Sequence, residues 1–197
     1  MAPWPGAPYL TGSKPKPHLR SRSLSLTLYD ISIPPFIRML KNLSVFLGNA
    51  EAYAAANSKP LSAFLDARLA DDMHPLPRQI QMASDGAKGA GARLAGIEAP
   101  SMPDTETTFP ELKARIAATV AFLETLTPEQ VNGREDATIE LSFPNGKMTF
   151  TGLNFLLQFA QPNFMFHVVT AYALLRSQGA PLGKMVFLAG GSPPTTV

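Results

Sequence analysis

The chain has 197 residues, 19 of them proline and none cysteine, with 17 basic against 15 acidic side chains. That length suits one domain of ordinary size. The absence of cysteine excludes a disulfide framework, a thiolate zinc site and a cysteine nucleophile. The sequence has no apolar run of the roughly 18 residues that a membrane-crossing helix needs. Lys14, Lys16, Arg20 and Arg22 all precede the first acid, Asp30, and without them 13 basic residues face 15 acidic ones, a net charge of −2. A mildly acidic body offers no electrostatic footprint for nucleic acid, so neither nucleic acid nor membrane is an expected partner.

Residues 1–25 hold Pro3, Pro5, Pro8, Pro15 and Pro17 with little apolar periodicity. They read as a disordered Pro/Ser/Arg-rich tail. The expected location is cytoplasmic, with organelle import through this tail as the alternative. The folded domain is expected over 26–190, followed by a flexible C-terminus at 191–197. Pro34 and Pro35 suit a first helical turn, and Phe36, Leu40, Leu43 and Leu47 repeat at helical spacing towards Ala56. A short helical turn within 61–69 precedes a second helix, which starts near Pro75 and Pro77 and runs to Gly96. Gly86, Gly89 and Gly91 within it mark either a close backbone approach or a loose segment. The third helix starts at Thr108 or Phe109 and runs to Leu126, and Thr127-Pro128-Glu129-Gln130 reads as another capped turn. Alternation over 137–143, Pro144-Asn145-Gly146-Lys147 and the return at Met148-Thr149-Phe150 predict a hairpin. Leu153, Leu157, Ala160, Phe164, Val168, Ala171 and Leu175 then form one long apolar stripe, kinked or restarted at Pro162 and stopped by Gly179. The expected class is an all-α four-helix bundle with a small β-hairpin before the last helix.

Candidate chemistry gathers on that last helix. Asn163 and His167 stand four residues apart, so one ligand can meet both. Asp72, Gln79 and His74 flank the start of the second helix and can face the same interior. His167 is expected inside the bundle against Asn163, Asp72 or Gln79, because an unpaired buried polar group is costly. Tyr172 and Arg176 share the same spacing and suit a carboxylate or phosphate, or else lie at the bundle rim. The bland reading of a lone imidazole on an apolar helix is a hydrogen-bonded core residue. No nucleophile, base and orienting acid assemble from nearby positions, and whether the protein is an enzyme stays open.

Tyr29-Asp30-Ile31-Ser32-Ile33-Pro34, Asp72-Met73 with Pro75-Leu76 and Gln79, and Pro162-Asn163-Phe164 with Phe166-His167 carry a resemblance. Ala171-Tyr172, Leu174-Leu175-Arg176, Gly179 and Leu182-Gly183-Lys184 complete it. Over about residues 26–190 the sequence resembles an uncharacterised domain-of-unknown-function family, often labelled helix-turn-helix-domain-containing, within the DinB-like superfamily. The resemblance implies an up-down-down-up bundle, often dimeric, of a metalloenzyme superfamily whose metal-binding members use three histidines. Two of those form a His-x-x-x-His pair on the fourth helix, with His167 on its second position and Asn163 on its first. An amide is a poor transition-metal ligand, so a metal-free pocket is favoured. A zinc or nickel ion would have to take His167, Asp72 and His74. The expected function is small-molecule binding, with ligand contacts from Asp72, Gln79, Asn163, His167, Tyr172 and Arg176, in a protein of peripheral or secondary metabolism. The alternatives are a thiol-cofactor-dependent transferase or isomerase, and a non-catalytic dimeric interaction protein.

Overall fold

The computed structural model describes residues 25–190. The expectations for the tail (Ser25 apart) and for residues 191–197 lie outside the described residues. The chain runs through α1 (Ile33–Ala56), the single turn α2 (Ser62–Leu65), α3 (Leu76–Ala95), α4 (Phe109–Glu124) and the single turn α5 (Pro128–Val131). Strands β1 (Thr138–Phe143) and β2 (Gly146–Thr151) follow, then α6 (Gly152–Phe155), a π-helical turn (Leu156–Ala160), α7 (Gln161–Ser177) and α8 (Lys184–Ala189). The protein is thus mostly helical with one antiparallel hairpin.

Local chemistry sets these boundaries. Pro34 and Pro35 occupy the opening turn of α1, where a missing N–H leaves no bond unmade. Thr108 and Glu111 cap α4 reciprocally, each side chain bonding the other's backbone N–H. Gly96 closes α3 in the left-handed conformation at φ 70°, where an L side chain would be strained. In the hairpin Phe143 pairs with Gly146 and Thr138 with Thr151, so Ile139 and Leu141 turn inward and are buried.

Helix α3 packs on α4 along one side and on α7 along another, and α1 packs on α4 and α7. The shared core draws Phe36, Leu43 and Leu47 from α1, Ile80 and Ala87 from α3, Leu112 and Leu123 from α4, and Phe164 and Val168 from α7. The rings of Phe36 and Phe164 meet edge to face at 5.0 Å, a favoured aromatic geometry. At Gly91 an added Cβ would stand 2.6 Å from the Leu123 side chain and 2.8 Å from that of Leu126. Close approach is therefore the reading that holds at this glycine.

The last long helix departs from the expected stripe. Pro162 has no N–H to give to the preceding turn, and the Gln161 N–H reaches back five residues to the Leu156 carbonyl. This wider turn shifts the phase upstream, so Leu156 is fully buried while Leu157, assigned to the stripe, is 48% exposed. Downstream the stripe keeps its register through Phe164, Val168, Ala171 and Leu175.

Candidate functional site

His167 is 5% exposed on α7. Its Nδ1 lies 2.8 Å from Oε1 of Gln79 on α3, and Nε2 of Gln79 donates to the His74 carbonyl at 3.0 Å. That second bond orients the amide, so Oε1 accepts and Nδ1 must carry the proton. When the ring is neutral its lone pair is therefore on Nε2. Burial, and then the electrostatic influence of His74 and Arg78 nearby, hold the His167 pKa below the ordinary histidine value.

Of the three partners expected for His167, Gln79 is the one found. Asp72 and His74 lie exposed before α3, and only the backbone of His74 joins the pair. Asn163 makes no hydrogen bond to His167, and its amide instead faces Gly86 of α3 and an adjoining cavity. The Tyr172 hydroxyl donates to the Leu182 carbonyl at 2.9 Å, and Arg176 donates to the Ala180 carbonyl at 3.2 Å. Both side chains therefore pin the segment that leads into α8.

A zinc or nickel centre needs three or more imidazole, carboxylate or thiolate donors around one point. His167 offers one. Oε1 of Gln79 is committed to Nδ1, and Asn163 supplies an amide facing elsewhere. Among the described residues no three His, Asp or Glu side chains are grouped so as to hold an ion. This donor set does not fit such a centre.

A second polar group, built around the buried Arg115 and without a signal in the linear motifs, joins α3 to α4 and the 98–107 connection. The Arg115 side chain is 1% exposed and reaches Asp85 at 2.8 Å, Asp104 at 3.0 Å and Glu106 at 3.0 Å. Lys88 meets the same oxygen of Asp85 at 3.0 Å, Arg78 pairs with Asp104, and Gln81 donates to Glu106 at 3.0 Å. Burial opposes the charge of Glu106, but the bonds from Arg115, its own backbone and Gln81 outweigh it and hold the carboxyl below its ordinary pKa. Arg78, Lys88 and Arg115 balance Asp85, Asp104 and Glu106, so the group closes on itself electrically. The available signal was the placement of Arg115 and Thr119 among Leu112, Ile116, Val120 and Leu123, on the core-facing side of α4.

Asp85 also borders a cavity of about 190 Å³. Helix α3 supplies its floor with Asp85, Gly86, Ala90 and Arg93, and the β1 end from Leu141 to Phe143 overhangs it. Phe155, Phe159, Ala160 and Asn163 follow along the π turn and the start of α7 to form the remaining wall. Phe155 and Phe159 stack at 6.1 Å, and Phe143 leans on Phe159 at 6.3 Å. This arrangement can hold a small molecule between aromatic faces and a few polar groups.

A family model described as "Domain of unknown function (DUF1993)" matches residues 28–188. The chain is also similar to the crystal structure of a DinB family member protein from Shewanella denitrificans. The two are 39% identical with a TM-score of 0.78, over 86% of this chain and 95% of that one. No curated protein matches the sequence.

Proposed function

Because the chain belongs to the DUF1993 family and is DinB-like, we propose that it is an up-down-down-up bundle binding a small molecule without a metal, in the cavity between α3, the hairpin and α7. The cavity is the observation that supports this. Asn163 there has no protein hydrogen bond among the described residues, and three phenylalanine rings surround the same void. Unused hydrogen-bonding capacity beside apolar walls is the usual composition of a ligand site. The His167–Gln79 pair, by contrast, acts in this reading as a support that ties α7 to α3 one turn away from Asn163.

A fragment screen followed by NMR of the full chain tests the proposal. Hits should shift the amide resonances of Asn163 and Phe159 and lose binding in Gly86→Leu, which fills the floor. Hits confined to other faces would refute it. Zinc or nickel retained stoichiometrically through dialysis, and lost in His167→Ala, would overturn the metal-free part.

One further observation favours the homodimer expected from the resemblance. Phe166 and Val169 are 55% and 47% exposed one turn apart on α7, and Met185 and Leu188 are 58% and 46% exposed one turn apart on α8. Val169 and Tyr172 border a shallow groove with Lys184 and Phe187, which makes the two apolar edges continuous. A second copy covering this face removes it from water. Sedimentation should give a dimer that Val169→Asp converts to monomer, and a monomeric parent protein excludes this reading.

A further inference from the structure

The charges around the cavity permit its ligand to be narrowed, an inference that rests on the binding reading above. Two charged residues line the void, Asp85 and Arg93. They differ in what already occupies them. One oxygen of Asp85 receives both Arg115 at 2.8 Å and Lys88 at 3.0 Å. Its negative charge is therefore compensated within the buried ionic group. Arg93 has no carboxylate partner among the described residues, and its one bond is from Nη1 to the Gly89 carbonyl at 3.0 Å. That bond lays the guanidinium along the exposed side of α3 at the cavity rim and leaves the rest of its five N–H donors unused.

The uncompensated charge of the cavity is therefore positive. A cationic ligand meets Arg93 with like charge and finds one oxygen of Asp85 already shared by two protein cations. A neutral ligand leaves the guanidinium fork unused. A carboxylate matches the fork in shape and charge. The void is also lined by Phe143, Phe155 and Phe159, which can take a flat apolar body, and by Asn163, whose amide can bond a polar substituent or the second carboxylate oxygen. A volume of about 190 Å³ lies below the roughly 300–1,000 Å³ of pockets for drug-sized molecules, which limits the body to a single ring.

We infer that the cavity binds a small monocarboxylate carrying one aromatic ring, with Arg93 holding the carboxylate and the phenylalanines holding the ring.

The test uses the full chain and three probe series, each matched in length: benzoate, phenylacetate and 3-phenylpropionate, their primary amides, and the corresponding arylalkylamines. Calorimetry and amide NMR should find at least one acid that binds, its amide weaker by about tenfold or more, and its amine weaker still. Arg93→Met should abolish the preference for acid over amide, bringing acid binding down to the level of the amide. Arg93→Lys, which keeps the charge without the fork, should fall between. Since Arg93 is exposed, both variants should fold, and the NMR spectrum verifies this. Amides or amines that bind as well as the acids, or acid binding that survives Arg93→Met, would overturn the carboxylate assignment and leave the cavity reading standing. If no probe of any charge shifts Asn163 or Phe159, the cavity reading falls too.

Discussion

Helix α3 joins two polar groups, each centred on a buried side chain, that are built in opposite ways. Towards α7, Gln79 offers a neutral amide to one neutral imidazole, and the chain of bonds ends on a backbone carbonyl. Towards α4, Asp85 and Lys88 join Arg115 and two further acids in a fully charged cluster that spans three segments of the chain. The neutral pair takes little from water and returns little. The charged cluster is expensive to desolvate and holds only while every member has its counter-charge. Neither is itself a cavity. The void adjoins Asp85 of the charged cluster, and there Asn163 and Arg93 retain capacity that the protein does not use. The two buried polar side chains at the centre of these groups are thus spent on protein partners, whereas the proposed ligand site rests on unused capacity beside empty space.

The largest effect that separates the two groups should come from Arg115→Met. It leaves Glu106, 13% exposed, without its cation, while Asp85 and Asp104 keep Lys88 and Arg78. Denaturant unfolding should show a loss of about 3 kcal/mol, the lower end for a broken buried pair. Gln79→Leu tests the other side. It leaves one buried N–H of His167 without an acceptor, and the expected loss is about 1–3 kcal/mol. Equal losses in the two variants would erase the distinction between a charged cluster and a neutral pair.

A pH series sharpens the contrast further. The folded state holds His167 neutral with a lowered pKa, whereas in the unfolded chain it takes a proton near the ordinary value of about 6.5. Below that pH the unfolded state binds more protons. Stability from this group is therefore full above about pH 6.5, declines as pH falls towards the folded pKa, and levels off beyond it. Glu106, whose pKa is lowered, contributes its own decline only in the more acidic carboxylate range. Unfolding midpoints measured from about pH 7.5 to 5 should show the first decline in the parent protein and a flatter profile in His167→Gln. A parent profile already flat over that range means that His167 titrates alike in both states.

The smallest effect concerns the void. Gly86→Ala removes glycine's entropic cost inside a helix, worth about 0.5–1 kcal/mol, and its Cβ would stand 3.4 Å from the Asn163 amide. The variant should melt slightly higher than the parent and bind cavity ligands more weakly. Higher stability with unchanged affinity would place the ligand away from Asn163.

How much of this could be read beforehand follows the range of each interaction. The Thr108 cap, the Asn145-Gly146 hairpin, the stops at Gly96 and Gly179 and the stripe from Phe164 to Leu175 are set by neighbours within a turn or two, and periodicity reveals them. The partners of Arg115 lie on α3 and on the connection before α4, and no local pattern ties them together. Tyr172 and Arg176 have the spacing of a ligand clamp, but their hydrogen bonds go to the backbone just downstream, at Leu182 and Ala180. Sequence spacing identifies which side chains share a helical face and is silent on what that face meets. The cavity was hidden for the same reason, since its walls come from α3, β1, the end of α6, the π turn and the start of α7, brought together only by tertiary packing.

The π turn before Pro162 also works as a joint that absorbs a residue. It contains one residue more than an α-helical path would use, and each residue of an α-helix advances the rotation by about 100°. Deleting exposed Gln158 would leave four residues to cover about 400° in α-helical form. That is close to what the five residues of the wider turn cover, so everything upstream would keep its alignment with α7. The joint thus takes up one codon without turning Phe155 or the hairpin out of line with Asn163, and its removal narrows that turn alone.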